Sequence, residues 1–206
     1  MIWVAEIGSA HGGDKSLAFE MIRQAKYSGA SIAKFQFGWT DEAQMKYAGN
    51  INPVRYIDDW ADDLVAFCKH YDIELMASIW SMEGLETARR VNMRRYKIAH
   101  QMDDKELERT IRMDRKVVFK SGDEIVCDID YPQYPAIRIP DNLYGYSSHS
   151  HGIADALLAV AKGARYIEKH VTLDKTNPFP RDNSFAITFD EFAQMVRLGD
   201  EMARLR

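Results

Sequence analysis

His149 and His170 stand at the ends of two short apolar runs late in the chain, and Lys34 and Lys97 stand inside two earlier ones. Neutral imidazole is a common ligand for first-row divalent ions. Two such ligands leave coordination positions open for a substrate oxygen, which Lewis-acid catalysis requires. A lysine offers a point charge suited to phosphate or carboxylate. The histidines are too far apart in sequence to form a local metal motif, so spacing alone does not join them. Other polar residues recur in similar places: Glu6, followed by Gly8 and His11, then Gln36, Ser78, His100, Ser147 and Glu168. Each has an ordinary structural explanation as a hydrogen-bonded or solvated group. Convergence separates the readings, because two lysines and two histidines at one place are costly to bury without an anion and a metal. Gly12-Gly13 serves equally as an anion-facing turn or as a plain turn before Asp14 as N-cap.

The elements that must position these groups alternate short apolar runs with longer amphipathic ones, the pattern of repeated βαβ units. The runs predict strands over 2–8, 32–37, 74–80, 95–100, 143–149 and 165–172. They predict helices over 14–28, 55–71, 82–92, 104–113, 153–162 and 188–204, with Phe189, Phe192, Val196 and Leu198 on the buried side of the last. A TIM-type (β/α)8 barrel in the α/β class fits, and such a barrel places its chemistry at the C-terminal ends of its strands. Strand alternation then puts Lys34 with Gln36, Ser147 with His149, and Glu168 with His170 and Thr172. The middle breaks the rhythm. Runs at 116–121 and 124–130 are strand-like, but only Gly122 and Asp123 lie between them. A parallel crossover needs about a dozen residues or more, so this gap predicts an antiparallel hairpin or one bent strand. With three prolines in 131–142, the barrel is expected to be minimal, lacking one or two outer helices around 121–142.

A length of 206 residues suits one barrel domain over 1–206. Hydrophobic residues make up 46% and charged residues 28%, an ordinary globular balance. The net charge of −4 excludes the basic footprint of nucleic-acid binding. An anionic substrate must therefore be held by local lysines or a metal. Two cysteines, Cys68 and Cys127, exclude a disulfide framework and fit free thiols in a reducing compartment. There is no signal-peptide pattern and no apolar run of membrane-spanning length, so the expectation is a cytoplasmic protein without a membrane partner.

Several blocks together resemble one family. Ala5-Glu6-Ile7-Gly8 with His11, Gly29-Ala30, Lys34-Phe35-Gln36, Tyr96-Lys97-Ile98-Ala99, Gly145-Tyr146-Ser147-Ser148-His149-Ser150 and Ile167-Glu168-Lys169-His170-Val171-Thr172-Leu173-Asp174 follow the order found in the sialic acid synthase family. The resemblance runs along nearly the whole chain. It implies a barrel that condenses phosphoenolpyruvate with an N-acylated amino-sugar aldehyde, such as N-acetylmannosamine, to a nonulosonic acid and phosphate. By that resemblance His149 and His170 bind a divalent metal, typically manganese, with magnesium or cobalt as alternatives. Lys34, Lys97, Ser78, Ser121 and Ser147 hold phosphoenolpyruvate. Glu6, Gln36, Asp182, Asn50 and Tyr131 contact the sugar, and Glu6 is the carboxylate that orients or activates a hydroxyl or water.

The chain also departs from the pattern. Ala10 stands for a family asparagine, His100 for a serine and Ile129 for an asparagine. Ser148 stands for an aspartate expected to support the metal site. The sequence ends before the family's C-terminal antifreeze-like domain, which sends an arginine into a partner's sugar site. A trimmed barrel is expected, with a homodimer or a separate partner chain supplying that function. A divergent enzyme using another aldehyde, or a non-catalytic sugar- or anion-binding relative, are the alternatives.

Overall fold

The computed structural model describes residues 1–48, 57–99, 101–114, 116–120, 125–127, 139–177 and 181–206. Among these residues are eight strands: β1 (Ile2–Gly8), β2 (Ile32–Phe37), β3 (Glu74–Ile79), β4 (Arg95–Ile98), β5 (Val117–Lys120), β6 (Ile125–Cys127), β7 (Gly145–Ser148) and β8 (Tyr166–His170). They form one sheet in the order β5-β4-β3-β2-β1-β8-β7-β6. Every ladder is parallel. The sheet curls into a nearly closed barrel, as the βαβ rhythm requires.

Among the described residues seven α-helices belong to this frame: α1 (Lys15–Tyr27), α2 (Asp41–Ala48), α3 (Ala61–His70), α4 (Met82–Arg90), α5 (Lys105–Met113), α6 (Ala154–Ala161) and α7 (Phe189–Ala203). Local chemistry starts several of them. Asp14 accepts from the N–H groups of Ser16 and Leu17, and Asp104 from those of Glu106 and Leu107. Thr188 and Glu191 form a reciprocal capping box on α7. The predicted 55–71 helix is a 3-10 turn at Ile57–Trp60 running into α3. In α7 the fully buried positions are Phe189, Phe192, Met195 and Gly199, so Met195 takes the place expected of Leu198. Gly199 lets α7 meet β1 closely, since a Cβ there would lie 2.3 Å from the Trp3 ring. The Trp3 indole N–H donates to Asp200 at 3.0 Å, tying the chain's two ends together.

Helix α2 is absent from the sequence-based expectation. Its signal was present: Thr40 Oγ1 accepts from the Ala43 N–H at 3.2 Å, and Asp41 and Glu42 fill the first turn. The helix is short and only weakly two-sided, so periodicity does not reveal it.

Neither the expected antiparallel hairpin nor one bent strand is seen among the described residues. β5 pairs with β4 and β6 with β7, both in parallel, and no β5–β6 ladder occurs among the described residues. Each strand satisfies one edge through that neighbour, leaving the barrel seam between them. The expected loss of one or two outer helices concerns residues 121–142, most of which lie outside the described residues. No helix of the described residues is long and apolar enough to cross a membrane.

Alternation along the strands sets two layers. Phe35, Phe37, Ala5 and Ile7 face the helices and join the main core. Val4, Ile32, Met76, Phe119, Ile125 and Tyr166, from six different strands, pack on one another inside the barrel. This apolar plug is the floor on which the polar residues stand.

Candidate active site

Two residues beyond the plug, the same strands turn polar. Glu6 follows Val4, Lys34 follows Ile32, Ser78 follows Met76 and Glu168 follows Tyr166. Lys97 of β4 and Ser147 of β7 belong to the same level, in register with Ser78 and Glu168. All six are buried. One step further lie Gly8, Gln36, His149 and His170, at the C-terminal mouth.

Glu168 is the hub of the buried level. Its carboxylate is ion-paired with the Lys97 ammonium. It accepts from Ser147 Oγ at 2.9 Å and from the Tyr166 hydroxyl at 2.8 Å, and Lys34 Nζ lies 3.5 Å away. Lys97 Nζ also donates to Ser147 Oγ at 3.2 Å. Lys34 closes the network by pairing with Glu6. Two ammoniums and two carboxyls thus share one buried compartment, each with a partner, as buried charges must.

These contacts set the protonation states. Burial alone would raise the Glu168 carboxyl, but Lys34 and Lys97 outweigh it and hold the group well below the usual carboxylate range. Burial would lower Lys34, but the Glu168 and Glu6 carboxylates hold it above the ordinary lysine value. For Glu6 burial wins. The carboxyl is pushed up to about 7, with Lys34 pulling it down and Glu168 pushing it further up. Two carboxyls in one site therefore take different states, Glu168 ionised and Glu6 able to exchange a proton near neutrality.

At the mouth the two predicted imidazoles meet. The His149 and His170 ring centroids are 5.1 Å apart. Phe185 packs against both, at 5.3 and 5.1 Å. Burial first, then His149 and Lys34, keeps His170 well below its ordinary value, so the ring is neutral with a lone pair to offer. Asp182, in the 3-10 turn Arg181–Ser184, places Oδ2 3.9 Å from His170 Nδ1. Gly8, at φ 53°, leaves room beside this ring: a Cβ there would sit 3.2 Å from Glu6 Oε1 and 3.7 Å from His170 Cε1. Among the described residues no three His, Cys, Asp or Glu side chains form a metal cluster. The imidazole pair itself fits an ion that keeps open coordination positions.

The structure thus brings together Glu6, Lys34, Lys97, Ser147, Ser78, Gln36, His149, His170 and Asp182, all expected from the sequence. Asn50, Ser121, Tyr131, His100 and Ile129 lie outside the described residues. Glu168 and Tyr166 were missed as site residues, although alternation already put Glu168 on the His170 face. Ser148 is not directed into the compartment. Its hydroxyl accepts from Lys169 Nζ at 2.8 Å, on the helix-facing side of the strands.

His11 takes the ordinary structural reading. Its Nδ1 accepts from the Gly13 N–H at 3.1 Å, and its ring packs on Trp60 at 5.7 Å and Phe35 at 6.1 Å. Burial lowers it to about 4. The unfolded chain takes a proton at His11 near pH 6.5 that the folded chain refuses until about 4. Stability from this group is complete above about pH 6.5 and falls as the pH drops toward 4, by about 2–3 kcal/mol. Urea midpoints across that range should fall less steeply for His11→Asn than for the wild type. Parallel slopes would show that His11 is not buried in its neutral form.

Comparison with known proteins adds a second line. Residues 138–205 match the NeuB family. Over 94% of its length the chain is 28% identical to the N-acetylneuraminate-9-phosphate synthase of Mus musculus, covering 68% of that protein. It is 26% identical to a pseudaminic acid synthase of Campylobacter jejuni, covering 71% of it. Both alignments span 244 positions, more than this chain contains, so these relatives hold residues without a counterpart here. The fold matches the N-acetylneuraminic acid (sialic acid) synthetase of Leptospira borgpetersenii with a TM-score of 0.80 at 22% identity. That match covers 99% of this chain and 84% of the other. The chain is similar to sialic acid and pseudaminic acid synthases along nearly its whole length, and its segment 138–205 matches the NeuB family.

Proposed function

We propose that the chain, acting as one barrel domain in the cytoplasm, condenses phosphoenolpyruvate with an N-acylated amino-sugar aldehyde to give a nonulosonic acid and phosphate. One observation supports this most: a buried layer with two lysines lies directly beneath a pair of histidines at the barrel mouth. Lys34 and Lys97, with Ser147 and Ser78, are suited to hold the phosphate and carboxylate of the enol substrate. Gln36, Asp182 and Glu6 are suited to the acceptor's hydroxyls. His149 and His170 would hold a divalent ion, manganese by preference, which supplies Lewis-acid polarisation of a carbonyl oxygen when bound.

The chain's own residues do the rest. Held by the lysines, the enol's C3 donates its electron pair to the aldehyde carbon, forming the new C–C bond. The aldehyde oxygen takes up a proton. Water adds at C2 of the former enol and loses a proton, and the C2–O bond to phosphate breaks with release of inorganic phosphate. Glu6, with its carboxyl near 7, is the group able to hold and return a proton in these steps. Fixing both reactants in a dry compartment supplies the positioning component of the rate.

The test is phosphate release from phosphoenolpyruvate with manganese and a panel of N-acylated hexosamines. At least one acceptor should give phosphate together with a nonulosonic acid of matching mass. Silence across the panel would overturn the substrate assignment.

A further inference from the structure

Lys169 is buried between the barrel wall and the helices, on the opposite face of β8 from Glu168 and His170. Its alternation excludes it from the compartment, and no step above uses it. Its register partner across the β7–β8 ladder is Ser148. The ammonium donates to Ser148 Oγ at 2.8 Å and to the backbone carbonyl of Ser150. These two residues flank His149 on either side. Lys169 itself immediately precedes His170. One side chain therefore spans from the strand carrying one imidazole to the backbone on both sides of the other.

We infer that Lys169 is a positioning residue for the imidazole pair, fixing the turn that carries His149 relative to β8 and His170. Where the turn leaves β7 it has no sheet ladder to hold it. β7 ends at Ser148, and α6 does not begin until Ala154. The Lys169 side chain replaces the missing ladder with hydrogen bonds to Ser148 Oγ and the Ser150 carbonyl, buried contacts that hold the turn against β8. Its consequence for a bound ion rests on the metal reading above. Its consequence for the ring positions does not.

The experiment compares wild type, Lys169→Met and Ser148→Ala in two measurements on each protein. The first is the imidazole 15N–1H correlation spectrum without metal. The second is a titration with manganese alone. Binding of phosphoenolpyruvate and the urea midpoint serve as readouts of general damage. Lys169→Met should shift or broaden the His149 and His170 signals and weaken manganese binding about tenfold or more. Phosphoenolpyruvate affinity should stay within about twofold. Ser148→Ala removes one anchor and should move the same signals less, and it carries the test if Lys169→Met does not fold. Unchanged imidazole spectra in the folded variants would overturn the inference. So would manganese affinity equal to wild type. If wild type binds no manganese but the imidazole signals move, the metal reading falls and the positioning role stands.

Discussion

Replacing Glu168 with alanine is expected to destabilise the fold by about 3–5 kcal/mol, the usual cost of removing one partner from a buried charge cluster. The urea midpoint measures it. Without this carboxylate, Lys97 loses its ion pair, Lys34 keeps only Glu6, and the Ser147 and Tyr166 hydroxyls lose their acceptor. Glu168→Gln keeps an acceptor oxygen but no charge, so its loss should be smaller, about 1.5–3 kcal/mol. Tyr166→Phe, which removes one hydrogen bond to the same carboxylate, should rank below both.

The sharper result is a dissociation of stability from binding. In Lys97→Met/Glu168→Met both partners become apolar groups of similar size, and the desolvation cost of both ions disappears. That double variant should recover most of the stability lost in Glu168→Ala, as buried ion pairs exchanged for packed hydrophobes do. It should nevertheless bind phosphoenolpyruvate far more weakly, because one of the two proposed anion contacts is gone. A midpoint for Glu168→Ala equal to wild type would show that the cluster rearranges without its hub.

The same cluster shows what a sequence can and cannot display. Lys34 and Gln36 on one face and Phe35 and Phe37 on the other follow directly from strand alternation, and the structure agrees. The mutual approach of Lys97 and Glu168 does not follow. They sit on β4 and β8, which are not neighbours in the sheet, and only curling the sheet into a barrel brings them together. Pairing across a barrel interior leaves no periodic trace.

Ser148 is the opposite case. The placement of Ser147 and His149 on one face already requires Ser148 to point away, and the Lys169 contact follows from the β7–β8 register. The supporting role expected at this position belongs to the family's aspartate, a carboxylate that Ser148 does not supply. The 121–124 gap was misread for a third reason. The crossover rule applies to strands that pair with each other, and β5 and β6 do not pair among the described residues.

Alanine at His170 is the second large effect expected, this time on function. Wild type treated with a chelator should lose turnover and regain it on adding manganese. His170→Ala should bind manganese about 100-fold or more weakly and should not be rescued at concentrations that restore wild type. His170 is the better of the two positions for this test. It is the more buried ring, burial keeps it neutral, and it touches both His149 and Phe185. That burial also means alanine leaves a cavity beside Phe185, which by itself costs stability. His149→Ala separates the two effects, since the His149 ring is only partly buried and its removal should disturb packing less. If both variants lose manganese binding while phosphoenolpyruvate binding persists, the loss belongs to the ion and not to the barrel. If Lys34 and Lys97 hold the enol substrate from the layer below, as proposed, its affinity should fall only a few-fold in either variant. Retained manganese affinity in both variants would remove the metal from the imidazole pair and leave the lysine layer as the compartment's sole ligand site.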